Sequence, residues 1–320
     1  MTRSTAPTWI AWTRLRLWGA TEWARHGRPE VAFGFLGSLG DELLCTAPLI
    51  EWQRRGARNV WVMTRHREFF HGLTRPAALL PEDARYPALC RALGRPFHLL
   101  SYSDYDERTD RDARLGRHLI AEMCARAGLN GSIQLRPHLR LAPQEIAAAG
   151  VHAGCVAVQS SVGAARLPMA NKQWPLERFQ RLVEDSVRRG LRFVQIGSAG
   201  DPPLTGVMDL RGRTSLREAA AVLHQARLFV GLTGFLMHLA RAVDCPAVII
   251  YGGREPPELT GYICNINIAN RPACAPCWQR NRCEFHRICL EAITVQEVAA
   301  AIENALARPR EPLAVEEAVL

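Results

Sequence analysis

Lysine is nearly missing from this chain: of 40 lysine and arginine residues, Lys172 is the one lysine and all the others are arginine. An ammonium is a compact point charge and a guanidinium a planar fork, so the two do not substitute freely at a phosphate site. Lys172 reads either as a position that requires an ammonium or as a remnant of a bias towards arginine. No uncharged apolar run reaches the roughly 18 residues that a membrane span needs. The N-terminus lacks an apolar core followed by a small-residue cleavage site, so no signal peptide is expected and the cytoplasm is the expected compartment. Neither a dinucleotide fingerprint nor a P-loop is present, which argues against a redox cofactor and against ATP hydrolysis. A clustered basic helix, a finger and an aromatic-basic motif are also missing. The net charge of +9 therefore points to anionic partners such as nucleotides, phosphorylated glycans or an acidic membrane surface, and nucleic acid is the weakest of the readings it allows.

What is present is ordinary for a globular chain: 320 residues, 48% apolar and 22% charged, enough for two domains. Residues 1–28 form an arm in which Trp9, Trp12, Trp18 and Trp23 alternate with Arg14, Arg16 and Arg25. That mixture suits a helix lying in a membrane interface, or one packed on its own body or on another subunit. Residues 29–150 alternate short apolar runs with helical patterns: strands at 31–36, 59–63 and 97–101, a helix through the 40s kinked by Pro48, and a helix over 111–127. Residues 102–114, rich in Asp, Arg and Tyr, read as a solvated loop at strand ends, with an acceptor-binding lip as the alternative. A second series fills 151–308, with strands at 155–159, 191–196, 228–231 and 247–251 and helices at 176–189, 215–225, 236–243 and 295–306. Pro309 and Pro312 mark a tail over 309–320. Strands alternating with helices predict an α/β protein with two Rossmann-like parallel sheets.

Polar or glycine-rich turns follow the strands of the second half at Ser160-Ser161-Val162-Gly163, Gly197-Ser198-Ala199-Gly200 and Leu232-Thr233-Gly234. In doubly wound sheets ligands bind beyond the carboxyl ends of strands, with phosphates at helix N-termini, so this half reads as a nucleotide-phosphate domain. In the first half, Gly37-Ser38-Leu39-Gly40-Asp41 reads as strand, turn and helix start. Asp41 there is either an N-terminal cap or a base. Cys274-Ala-Pro-Cys277, with Cys283 and Cys289, supplies four sulfurs at metal-ligand spacing. The ten cysteines are too irregular for a disulfide framework, and free thiols or disulfides are the alternatives to a metal site in the loop 274–289. Arg280, Arg282 and Arg287 would offset the thiolate charge there, and His286 is a spare ligand.

Four of these stretches carry a resemblance. Gly37-Ser38-Leu39-Gly40-Asp41 with Leu43-Leu44, Lys172-Gln173-Trp174-Pro175, Leu210 to Leu216, and Met237-His238-Leu239-Ala240 stand in the order and spacing of glycosyltransferase family nine, the lipopolysaccharide heptosyltransferases, over about residues 31–306. The resemblance implies a GT-B architecture, two Rossmann-like domains facing across a cleft, with acceptor on the first and nucleotide sugar on the second. It implies an inverting transfer with Asp41 as general base, Glu42 as a second candidate, and Lys172 on the donor phosphates. Ser160, Ser161, Thr214, Ser215, Leu216, Thr233, Gly234 and His238 would line the donor, an ADP-heptose-like sugar nucleotide. The acceptor would be a glycan, a protein or a small molecule. Where the family pattern has an acid, this chain has Leu232, which leaves room for a catalytically silent GT-B protein that binds nucleotide or glycan within an assembly. By the same resemblance the cysteine loop is expected to hold structural zinc or iron, with no metal required for the chemistry.

Overall fold

The computed structural model describes residues 8–35, 37–73, 78–102, 104–309 and 311–320, with side chains left out at 8–12 and 14–16. Strands β1 (Val31–Gly34), β2 (Val60–Met63), β3 (Ala78–Leu80) and β4 (Phe97–Leu99) form a parallel sheet in the order β3-β2-β1-β4. Every residue of β1 and β2 is buried, which is why both read as unbroken apolar runs: a parallel sheet is covered on both faces. Short β5 (Tyr105–Asp106) and β6 (Arg111–Asp112) pair antiparallel, and β7 (Ser132–Gln134) follows. The helices of this half are α1 (Thr8–His26), α2 (Leu39–Leu44), α3 (Thr46–Arg54), α4 (Arg85–Ala92), α5 (Leu119–Arg126) and α6 (Pro143–Ala148).

The second sheet contains β8 (Val156–Val158), β9 (Phe193–Gln195), β10 (Met208–Asp209), β11 (Leu228–Leu232), β12 (Ala247–Tyr251) and β13 (Ile266–Ala269). Its order is β10-β9-β8-β11-β12-β13, all parallel. This is the doubly wound order, in which the chain reverses direction between β8 and β11 and opens a crevice at their carboxyl ends. The first sheet reverses in the same way between β1 and β4. Helices α7 (Leu176–Arg188), α8 (Leu216–Gln225), α9 (Phe235–Ala242), α10 (Pro257–Thr260), α11 (Ile288–Glu291) and α12 (Val295–Ala307) complete this half. One apolar core runs from Phe33, Leu43 and Leu44 through Leu236, Met237 and Leu239 to Ile249 and Tyr251, so the two sheets share buried surface.

Several local expectations change. The helix of the 40s breaks at Cys45, between α2 and α3; Pro48 falls in the first turn of α3, where its missing N–H costs nothing. The helix expected over 111–127 begins only at Leu119, capped by His118, whose Nδ1 accepts from the Ile120 N–H at 3.2 Å. The segment 309–320 is no free tail: β14 (Glu317–Val319) pairs antiparallel with β7, returning the chain end to the first half. In the arm, the side chains of Trp9, Trp12, Arg14 and Arg16 lie outside the described residues. The described part of α1 packs on its own body. Trp18 packs against Tyr86, its ring tilted 58° with centroids 5.0 Å apart and Arg85 over its face, and the Tyr86 hydroxyl donates to Glu22 at 2.7 Å. A Cβ at buried Gly19 would come within 2.5 Å of Leu89, so glycine lets α1 approach α4.

Candidate active site

The N-termini of α2 and α9 meet where the two sheets face each other. A Cβ on Gly40 would lie 3.5 Å from both the His238 ring and the Phe235 backbone, and Gly234 sits at φ +150°, a conformation that side chains disfavour. Around this junction lies a cavity of about 800 Å³ lined from both halves, within the size range of small-ligand sites. Asp41, Glu42, Ser161, Lys172, Thr214, Ser215, Leu216, Thr233, Gly234 and His238 all line it. Ser160 is the exception among the expected residues; it is buried, and its hydroxyl accepts from Gln195 at 3.1 Å.

Asp41 is the third residue of α2 and closes a capping box. Its Oδ2 accepts from the Ser38 backbone N–H at 3.0 Å and from the Ser38 hydroxyl at 2.7 Å, while its Oδ1 accepts from the Tyr102 hydroxyl. Cap and cavity group are thus one side chain. Burial raises the Asp41 carboxyl above the ordinary aspartate range, and the bonds from Tyr102 and Ser38, with the charge of Lys172, oppose that rise. Glu42, by contrast, is buried with Oε2 accepting from Thr64 Oγ1 at 2.7 Å, Arg65 N at 2.9 Å and His66 N at 3.2 Å. Three donors on one oxygen make it the tie for the loop after β2.

Lys172 closes a turn of 3-10 helix after β8 and reaches Glu255 at 2.8 Å. Burial lowers its pKa, Glu255 opposes that, and nearby Arg254 adds to the lowering. Burial on its own would raise Glu255, but Lys172 and Arg254 hold it down to about 2, so it is a carboxylate. His238 donates or accepts at 2.7 Å with the Tyr262 hydroxyl, and burial followed by the charge of Lys172 lowers it to about 3, leaving a neutral imidazole. Ser161 Oγ accepts from Gly163 N at 2.9 Å and Gln173 Nε2 at 3.1 Å, and Ser215 caps α8 with Glu218 as its partner. Gln159 Oε1 is buried in the cavity wall without a hydrogen-bond partner, which marks a place for a polar ligand group.

Sequence reasoning missed Arg254 and Glu255 and marked Tyr102 and Asp112 only within the segment 102–114, for which an acceptor-binding lip was the alternative; all four line the cavity. Leu232 is fully buried in the core of the second half, and the carboxylate at that end of the cleft comes from Glu255, on the loop after β12. Nothing near Glu255 in the sequence marks it, because its significance lies in the fold bringing it to Lys172.

Most described residues of the segment 102–114 are exposed, as expected of a solvated loop, but two of its carboxylates are not. Asp110 and Asp112 are buried; Asp110 Oδ2 accepts from the Asn281 and Arg282 backbone N–H groups at 2.6 and 2.7 Å, and Asp112 pairs with Arg254 and Arg280. The arginines expected to offset thiolate charge instead hold loops together: Arg280 on Asp112, Arg282 on the Arg108 carbonyl, and Arg287 on Asn171. Cys274, Cys277, Cys283 and Cys289 line a second cavity of about 320 Å³ with Asn171, Gly253 and Arg254. All four are free thiols, and among the described residues no group of three or more His, Cys, Asp or Glu has metal-binding geometry. The donor set itself, four soft thiols with the Arg287 N–H donating to Cys283 Sγ at 3.3 Å, suits a metal such as zinc or iron.

The family model for glycosyltransferase family 9 (heptosyltransferase) matches residues 158–287. Over those residues the second half is similar to glycosyltransferase family 9. The match takes in Lys172, Thr214 to Leu216, Thr233 to His238 and three of the four loop cysteines, Cys274, Cys277 and Cys283. The chain is also similar to the lipooligosaccharide heptosyltransferase 2 of Haemophilus influenzae, 29% identical over 98 residues, which covers 27% of this chain and 28% of that relative. Among solved structures, Escherichia coli ADP-heptose lipopolysaccharide heptosyltransferase II superposes with a TM-score of 0.63 at 15% identity, over 86% of this chain and 98% of that one. The iron-containing dodecameric glycosyltransferase TibC of enterotoxigenic E. coli gives 0.64 at 17% identity, over 87% and 76%. These superpositions establish that the fold is GT-B.

Proposed function

We propose that this protein is an inverting glycosyltransferase that moves a heptose-like sugar from a nucleotide-diphosphate donor to a hydroxyl of a glycan, protein or small-molecule acceptor. The observation that carries the reading is the meeting of Asp41, from the first sheet, and Lys172, from the second, in one 800 Å³ cavity. The family-9 match and the TibC structure in complex with ADP-D-β-D-heptose support an ADP-heptose-like donor. We assign acceptor binding to residues 29–150 and donor binding to 151–308. In the reaction Asp41 takes the proton of the acceptor hydroxyl, whose oxygen forms the new bond to the anomeric carbon. The bond to the diphosphate breaks with its electron pair moving to the phosphate oxygen, where Lys172 offsets the charge that develops. Backbone N–H groups at the start of α9, freed by Gly234, face the same diphosphate, with Ser161, Thr214, Ser215, Leu216, Thr233 and His238 around it.

Cys274, Cys277, Cys283 and Cys289 would hold the structural zinc or iron as a clamp on the loop, and no catalytic step passes through it. Elemental analysis finding well under one metal ion per chain removes that assignment. Leu17 and Trp23, 67% and 47% exposed on α1, are the groups through which the arm would touch the inner membrane from the cytoplasm. Among the described residues no helix is long and apolar enough to cross a membrane.

The test is a panel of nucleotide sugars offered to the purified protein with release of the nucleoside diphosphate as readout. A second reading, a silent GT-B binder acting in an assembly, is favoured by the closure of the site on itself: Asp41 is held by Ser38 and Tyr102, and Lys172 by Glu255. Binding of a nucleotide sugar without release of diphosphate, with any acceptor, selects that reading. Neither binding nor release refutes both.

A further inference from the structure

Lys172 does not stand alone in the cleft. It ends a chain of alternating charges that crosses from the second half to the first: Lys172 to Glu255 at 2.8 Å, Glu255 to Arg254, Arg254 to Asp112, and Asp112 to Arg280, whose Nε lies 3.0 Å away. Glu255, Arg254 and Asp112 are each at most 7% exposed. The residue preceding Lys172 is held from the same side: Asn171 Nδ2 donates to the carbonyls of Gln279 and Arg282 at 3.1 and 2.8 Å, and Arg287 Nε donates to Asn171 Oδ1 at 3.1 Å. The cysteine loop thus grips the residue next to Lys172, and Glu255 grips its ammonium.

We propose that Glu255 is the positioning residue for Lys172, keeping its ammonium charged and aimed into the cleft so that it can meet a nucleoside diphosphate. The inference rests on the assignment of Lys172 to the donor phosphates. Its physical basis is that a buried amine sheds its proton unless a carboxylate compensates. The groups facing Lys172 are Glu255 and Arg254 from the loop after β12, Asp41 from α2 and His238 from α9. Arg254 is a repelling charge, His238 is neutral, and Asp41 is shared with Ser38 and Tyr102. Glu255 is therefore the main compensating charge, and Arg254, pinned by Asp112, fixes where its carboxylate points.

The experiment is titration of ADP into wild type, Lys172→Met, Glu255→Gln and Glu255→Asp by calorimetry from about pH 7 to about pH 10, above the range in which the diphosphate itself titrates. The sign follows from the charge: removing the carboxylate lowers the pKa of Lys172, so affinity should fall at a lower pH than in wild type. For Glu255→Gln we expect the midpoint of that fall to move down by about one unit, equivalent to about tenfold in affinity at the upper end, and Glu255→Asp to lie between it and wild type. Should Glu255→Gln be recovered unfolded, the smaller move in Glu255→Asp serves the same purpose. An unchanged pH profile in both variants overturns the inference, as does a loss equal at every pH, which marks a merely structural side chain. If Lys172→Met binds ADP as wild type does, the assignment of Lys172 fails and the inference with it; a Lys172→Met defect with unaltered Glu255 variants refutes the inference alone.

Discussion

Asp41→Asn separates the two jobs that Asp41 holds. Asparagine keeps the length and the acceptor oxygen of the capping box but cannot take a proton. Its cap function is close to that of aspartate, and complete loss of a helix cap costs about 1 kcal/mol, so the folded state should lose at most that much. Loss of a general base costs roughly 10²- to 10⁴-fold in rate, equivalent to about 3 to 5 kcal/mol in the transition state. The two magnitudes are far enough apart to be told apart in one protein. Ser38→Ala provides the converse: it removes the 2.7 Å bond to Asp41 Oδ2 and the helix cap but leaves the carboxylate. We expect Asp41→Asn to bind the donor normally, unfold within a few degrees of wild type, and release diphosphate at least a hundredfold more slowly. Ser38→Ala should be destabilised similarly and remain active. The measurements are calorimetric donor binding, thermal unfolding and initial rates of diphosphate release. If Asp41→Asn retains turnover within about threefold, or if Ser38→Ala loses as much as Asp41→Asn, the base assignment is wrong and Asp41 is a cap.

Because burial raises Asp41, the acidic limb of the pH–rate profile should lie above the ordinary aspartate range, with activity lost as pH falls through it. Tyr102 bonds to the ionised form and opposes that rise, so Tyr102→Phe should move the limb to still higher pH; a limb that moves down contradicts the assignment. Glu255, held at about 2, contributes stability that is present above its unfolded value near 4.5 and is lost as pH falls towards 2; Glu255→Gln should flatten acid unfolding over that window, followed by circular dichroism. Asp112→Asn leaves Arg254 and Arg280 without their shared buried carboxylate and should cost about 3 kcal/mol or more in chemical denaturation, whereas Glu82→Gln, paired with Arg65 at the surface, should leave the denaturation midpoint nearly unchanged.

The parallel strands were legible because continuous burial on both faces leaves unbroken apolar runs at 31–34, 60–63, 228–232 and 247–251. The three- and two-residue strands β3, β7, β10 and β14 were not, since so few residues carry no period and their positions are set by the neighbours they pair with. Among the cavity residues, Asp41 and Thr233 were legible because turn chemistry and topology place such residues at carboxyl ends of strands, and Lys172 because it is the one lysine of the chain and stands in a family-like motif. Tyr102 follows β4, and Glu255 follows β12 by a short loop, yet neither has a local signature. Their meaning depends on pairing with Asp41 and Lys172, residues 61 and 83 positions away in the chain. The burial of Asp110 and Asp112 was missed for a related reason. A segment dense in Asp, Arg and Tyr looks solvated by composition, and most of it is exposed, but these two carboxylates find arginine and backbone donors from residues 254 and 280–282.

That same contact fixes what the cysteine loop does for the rest of the molecule. Backbone bonds run from Asp112 N to the Trp278 carbonyl at 3.0 Å and from Arg280 N to the Asp110 carbonyl at 3.0 Å, so the first half and the cysteine loop are joined in a ladder. The thiol-lined cavity has Asn171 and Arg254 in its wall, and these are the immediate neighbours of Lys172 and Glu255. A change at the thiols therefore reaches the cleft through two residues rather than through the fold at large. Alkylating the four thiols should weaken ADP binding with little change in thermal stability if the loop acts by positioning. If it acts only as a fastener, the two halves should lose stability together, and a fall in melting temperature should accompany any fall in affinity. A thiol-blocked protein that binds ADP as wild type does, with unaltered melting, would show that the loop neither positions Lys172 nor holds the halves together.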